Sequence, residues 1–242
     1  MTENNPRSEQ DILFDKANEL FYQRKFKKAY DLFLKSYELG NQDSSLNLAS
    51  MLTGFFPGVD RDFKKSMDYY HVAMKGSNTL KTVFEDALVH SSWGHNPVMN
   101  EFGFKLLDEL VPYLKPQYLN MIFMAALTLM NGDETFPKSL ERSYKLMQFA
   151  GDHGDLCACF MAGLMVLNGN GCKKDPQKAL EIIHKAADYG YEMAQDFLKA
   201  NEEDIRNGKD TGFGFTAFSM TVTPANEEQN GKETGEPNSP KS

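Results

Sequence analysis

The side chains here best suited to chemistry are histidines and cysteines, and most of them cluster late in the chain. His153, Cys157, Cys159, Cys172 and His184 fall within one short stretch. Zinc favours such ligands, usually as close pairs spaced C-x2-C or H-x3-H, and none of these five is so paired. His153 and Cys157 stand four residues apart, a spacing that can bring a base and a thiol together on one helix face. Gly154 lies between them and interrupts that helix, and no oxyanion donor or third group is implied. Gly169-Asn170-Gly171 follows no strand and precedes no Lys-Ser/Thr, so it is not a phosphate loop. Trp93, between His90 and His95, reads as a packing anchor in an irregular turn. The expectation is therefore no catalytic residue, no metal and no cofactor.

The elements that would position these groups are helices. Ala158, Ala162, Gly163 and Val166 recur at helical spacing, and their small or β-branched side chains let a second helix approach. Gly169-Asn170-Gly171 ends that helix, because glycine takes the positive φ of a helix C-terminus. Asp175 caps the next helix and Pro176 suits its first position, where a missing N–H costs nothing. Ala179, Ile182, Ile183, Ala186 and Ala187 form the inner face of that second helix, and Gly190 closes it. Neither helix buries its apolar stripe alone, so the pair needs neighbours.

The spacing A-x3-A-G-x2-V-x2-G-x-G-C-x2-D-x2-K-A-x2-I-I-x2-A-A-x2-G resembles the Sel1-like repeat, a relative of the tetratricopeptide repeat. Weaker copies fill most of the chain. Asp11 to Gly40 is a tetratricopeptide-like hairpin. Ser44 to Gly76 is a Sel1-like unit with a core doublet, Tyr69-Tyr70. Leu80 to Lys115 is a degenerate copy whose second helix restarts at Asn96-Pro97. Met121 to Gly154 returns to pattern, and Met121 and Ala158 open copies 37 residues apart. A last helix, Glu192 to Asn207, caps the stack. The resemblance implies an all-α fold: a right-handed α-solenoid of about five helix–turn–helix units over residues 11–208. Residues 209–242 read as a mostly disordered tail, with an apolar segment at 212–223 and two proline-directed phosphoacceptors, Thr223 and Ser239.

Composition narrows the function. The chain has 242 residues, is 41% hydrophobic and carries a net charge of −8. That balance argues against a nucleic-acid surface, which needs a basic stripe. The longest apolar runs fall short of the roughly 20 residues of a membrane span, so no membrane insertion is expected. The N-terminus MTENNPRSEQD carries no apolar run, and only three cysteines occur. The expected address is a reducing compartment, cytoplasm or nucleus. The turn TGFFPGVDRD also resembles cytochrome c oxidase assembly factors, which implies the mitochondrial intermembrane space as the alternative.

The resemblance further implies that first helices line a concave surface and that the chain is a non-enzymatic adaptor for protein partners. On that register the concave positions are Phe123, Leu127, Met130, Phe160, Leu164 and Leu167, which would form an apolar groove where they do not pack between units. In the tail, Phe213, Phe215, Phe218 and Met220 form an apolar motif that either lies against the solenoid, covering that groove or competing with a partner for it, or packs on the capping helix.

Overall fold

A computed structural model describes residues 7–76, 79–92, 96–132 and 136–209. Among these, eleven α-helices and two short 3-10 turns account for the regular structure, with no strand. The helices are α1 (Glu9–Tyr22), α2 (Phe26–Glu38), α3 (Ser44–Met51), α4 (Phe63–Ala73), α5 (Leu80–Ser91), α6 (Pro97–Leu110), α7 (Leu119–Asn131), α8 (Leu140–Asp152), α9 (Leu156–Asn168), α10 (Pro176–Asp188) and α11 (Glu192–Arg206). They pair as five antiparallel hairpins, α1–α2 through α9–α10, with α11 at the end. The fold is the α-solenoid expected from the repeats.

Local chemistry sets the boundaries. The carboxylates of Asp62 and Asp175 accept from the third amide of α4 and α10, and Asn96 does the same for α6. Pro97 and Pro176 occupy the first turns they were expected to open. Gly169 ends α9 in the left-handed conformation. Within hairpins a serine of the second helix donates to an alanine carbonyl of the first: Ser66 to Ala49 and Ser143 to Ala126, each at 2.7 Å. These bonds satisfy buried hydroxyls and draw the helices close. Gly151 of α8 serves the same end between hairpins, since a Cβ there would sit 2.6 Å from the Cα of Cys159 in α9.

The second helices are stitched edge to edge. His71 of α4 meets Glu109 of α6. The guanidinium of Arg142 in α8 grips Asp108 of α6 through two bonds, 3.0 and 2.7 Å, while lying over the Phe104 ring. Lys185 of α10 reaches Asp152 of α8 at 3.3 Å, and His184 reaches Glu202 of α11 at 3.0 Å. The Arg142 fork is the best built of these. A double-mutant cycle of Arg142→Ala and Asp108→Ala should give a coupling of about 1–2 kcal/mol in denaturant unfolding, between an exposed pair and a buried charge-assisted bond. Additive single effects would show that the fork contributes nothing.

The apolar interior divides in two. Ala17, Ala29, Phe33, Leu48, Met51, Leu52 and Val59 form one cluster at the N-terminal end. A larger cluster runs from Ala49 to Ile205, and half-buried Tyr69 borders both while packing edge-on against Tyr37.

Candidate functional site

The five histidines and cysteines of the late stretch do not converge on one site. His153 is exposed, stacks on Phe149 and pairs its Nδ1 with the Phe149 carbonyl at 2.8 Å, back along its own helix. Cys157 stands across a turn in α9, and burial pushes its thiol up. Burial does the same for Cys159 and Cys172, so none of the three is poised as a thiolate. His184 is engaged by Glu202. Among the described residues no three His, Cys, Asp or Glu side chains converge as a metal set. Trp93 and His95 lie outside the described residues.

A polar cluster that sequence reasoning missed lies between the second and third hairpins. The hydroxyl of buried Tyr70 donates to Asp86 at 2.8 Å and stands 3.4 Å from Nε2 of His90. The His90 ring stacks on Phe55 and leans on Phe102, and its Nδ1 is buried without a hydrogen-bond partner. Burial raises the Asp86 carboxyl to about 6 and lowers His90 to about 4. Tyr70 is pushed well up, chiefly by burial and then by the charge of Asp86. No motif announces this group, because its members are joined only by packing of α4 on α5.

The predicted groove needs correction. Of its six residues only Leu127 is partly open. Phe123, Met130, Phe160, Leu164 and Leu167 are buried. Phe160 packs on Tyr191 and Phe197, and Leu167 lines a recess with Ile205 of α11. All five buried side chains belong to the larger apolar cluster instead of facing solvent. The open side is rotated by one residue. On α7 it carries Met121, Met124, Leu127 and Thr128, with Met124 48% exposed. On α5 the corresponding positions are Glu85, Leu88 and Val89, with Val89 46% exposed. The two helices share one burial pattern: positions 83, 84, 87, 90 and 91 of α5 are buried, as are 122, 123, 126, 129 and 130 of α7. The tail residues Phe213, Phe215, Phe218 and Met220 lie outside the described residues.

Among the described residues no helix is long and apolar enough to cross a membrane. The family model described as Sel1 repeat matches residues 18–41, 43–76, 121–155 and 158–191, together just over half of the chain. No curated protein matches. Solved structures similar to this chain include a Sel1 repeat protein from Oxalobacter formigenes, at 18% identity over 79% of this chain and 55% of the other, TM-score 0.36. A second is a protective antigen of uropathogenic Escherichia coli with an SLR fold, at 16% identity over 84% and 42%, TM-score 0.36. A third is an immunity protein from Pseudomonas aeruginosa, at 18% identity over 81% and 72%, TM-score 0.33. The chain spans about half the length of the first two.

Proposed function

The chain belongs to the Sel1 repeat family, and from that premise we propose that it is a non-enzymatic scaffold holding a segment of a partner protein on the open side of α5 and α7. Sel1 repeat proteins are generally protein–protein interaction scaffolds. The observation that carries the site is the pair Val89 and Met124: one helical turn apart in register on the first helices of consecutive hairpins, each leaves a large apolar side chain in water, flanked by half-buried Leu88 and Leu127. Repeated apolar exposure on rigid first helices suits a partner that is itself apolar and extended or helical. Methionine adapts to the shape of what it meets. The three free thiols, none of them paired, support a reducing compartment such as the cytoplasm.

The test is capture from the native cell with wild-type chain beside Val89→Glu/Met124→Glu. Both positions are exposed, so unfolding free energy should shift by no more than about 0.5 kcal/mol each. Partners held by the wild type should be lost by about thirtyfold or more, the scale of a central interface residue. Equal retention of the same partners would move binding off this face.

A further inference from the structure

The dipeptide Asn-Gly recurs where helices end. Asn131-Gly132 closes α7, Asn168-Gly169 closes α9 and Asn207-Gly208 closes α11, while Asn170-Gly171 stands in the turn between α9 and α10. A fifth pair, Asn230-Gly231, lies outside the described residues. Asparagine is thermally labile, and before glycine it has a specific way to react. The glycine amide nitrogen attacks the side-chain carbonyl carbon of the asparagine, ammonia leaves and a five-membered succinimide forms. Water then opens the ring at either carbonyl, leaving aspartate or isoaspartate. Glycine favours the attack because it has no side chain to crowd its nitrogen.

In a folded chain that amide must also leave its own hydrogen bond and turn toward the preceding side chain. At three of the four described pairs it is held by the carbonyls that finish the helix. Gly132 donates to Thr128 at 2.9 Å, Gly169 to Met165, and Gly208 to Ile205 at 3.0 Å. Asn168 is held twice, since its side-chain amide donates to the Leu164 carbonyl at 2.9 Å. Gly171 differs. The amides of Gly169 and Asn170 both return to the Met165 carbonyl, so the helix is finished before Gly171 is reached. Among the described residues neither the Gly171 amide nor the Asn170 side chain has a hydrogen-bond partner. Both residues are half-buried, so water has access to the ring.

We propose that Asn170 is a site of spontaneous deamidation and isomerisation, and that its conversion unseats the α9–α10 turn from α8. Isoaspartate carries the main chain through the former side chain. It adds one methylene between residues 170 and 171 and leaves a new carboxylate beside them. The turn has no slack for the added atoms: even a Cβ on Gly171 would collide with the Leu140 carbonyl and the Glu141 amide at the start of α8. The change is one-way and needs no enzyme, only water.

The test is incubation of the full chain at mildly alkaline pH, with each Asn-Gly pair followed by peptide mass spectrometry and isoaspartate labelled by an isoaspartyl methyltransferase. In the folded chain Asn170 should convert about fivefold faster than Asn131, Asn168 or Asn207, the factor equivalent to one net hydrogen bond. In urea all four pairs are released and share the same following residue, so their rates should draw level. A folded-state rate at Asn170 no faster than at the other three overturns the proposal. So does a preference for Asn170 that persists in urea, which would place its cause outside the fold. Urea unfolding of the aged chain should then show a second transition at lower denaturant, and Asn170→Gln aged beside it should keep one. A single unchanged transition in the converted wild type, or the same early transition in the glutamine variant, overturns the unseating of the turn.

Discussion

Gly171→Ala lowers the unfolding free energy by about 3–5 kcal/mol, combining a left-handed alanine with a clash against backbone that cannot yield. Gly171 has φ +76°, and a Cβ there would stand 2.7 Å from the amide nitrogen of Glu141 and closer still to the Leu140 carbonyl. The turn between α9 and α10 thus rests directly on the first turn of α8, one hairpin earlier. Gly169→Ala is the control. It has nearly the same φ, +74°, but an added Cβ meets only the side chain and backbone of Lys174, at 3.1 Å and beyond. That variant should lose about 1–2 kcal/mol, the conformational part alone. Urea unfolding of the three proteins separates the contributions. Equal losses for the two alanine variants would show that contact with α8 is immaterial.

Changing acidity should leave wild-type stability nearly level through the Tyr70–Asp86–His90 cluster, while either single replacement uncovers a slope of about 3 kcal/mol. The Asp86 carboxyl rises from 3.8 to about 6, so the folded chain holds that proton more tightly than the unfolded one. The resulting penalty is absent below the unfolded value and complete above the folded one. His90 falls from 6.5 to about 4, so the folded chain resists protonation. Its penalty is absent above the unfolded value and complete below the folded one. Over the same window the two slopes have opposite sign and similar size. Asp86→Asn should therefore lose about 3 kcal/mol on acidification from pH 7 to pH 4, leaving His90 uncompensated. His90→Phe, which keeps a ring between Phe55 and Phe102, should gain about as much over that change. Parallel stability curves for wild type and both variants would sink this account.

Much of the fold was legible because its punctuation is chemical. Asp175-Pro176, Asn96-Pro97 and Gly169 each do locally what their residue types dictate, and Gly132 ends α7 thirty-seven residues before Gly169 ends α9. The open face was not legible for an equally physical reason. The helix LNMIFMAALTLMN is apolar around most of its circumference, so its periodicity lacks the contrast that would tell Phe123 from Met124. The helix LCACFMAGLMVLN has still less contrast. A step of one residue turns the helix by about 100°, enough to exchange a buried side for an open one. Asp86 and His90 sit four apart on α5, yet their importance depends on Tyr70 of the preceding hairpin, which no local pattern reveals.

The split interior gives the rod a seam. Leu48, Met51 and Leu52 look toward the first hairpin, whereas Ala49 on the same helix belongs with everything that follows, and two tyrosines meet edge-on where the blocks touch. Val89 and Met124 both ride on the larger block. On the proposed function, a change of curvature at the amino-terminal end would leave the binding face undisturbed.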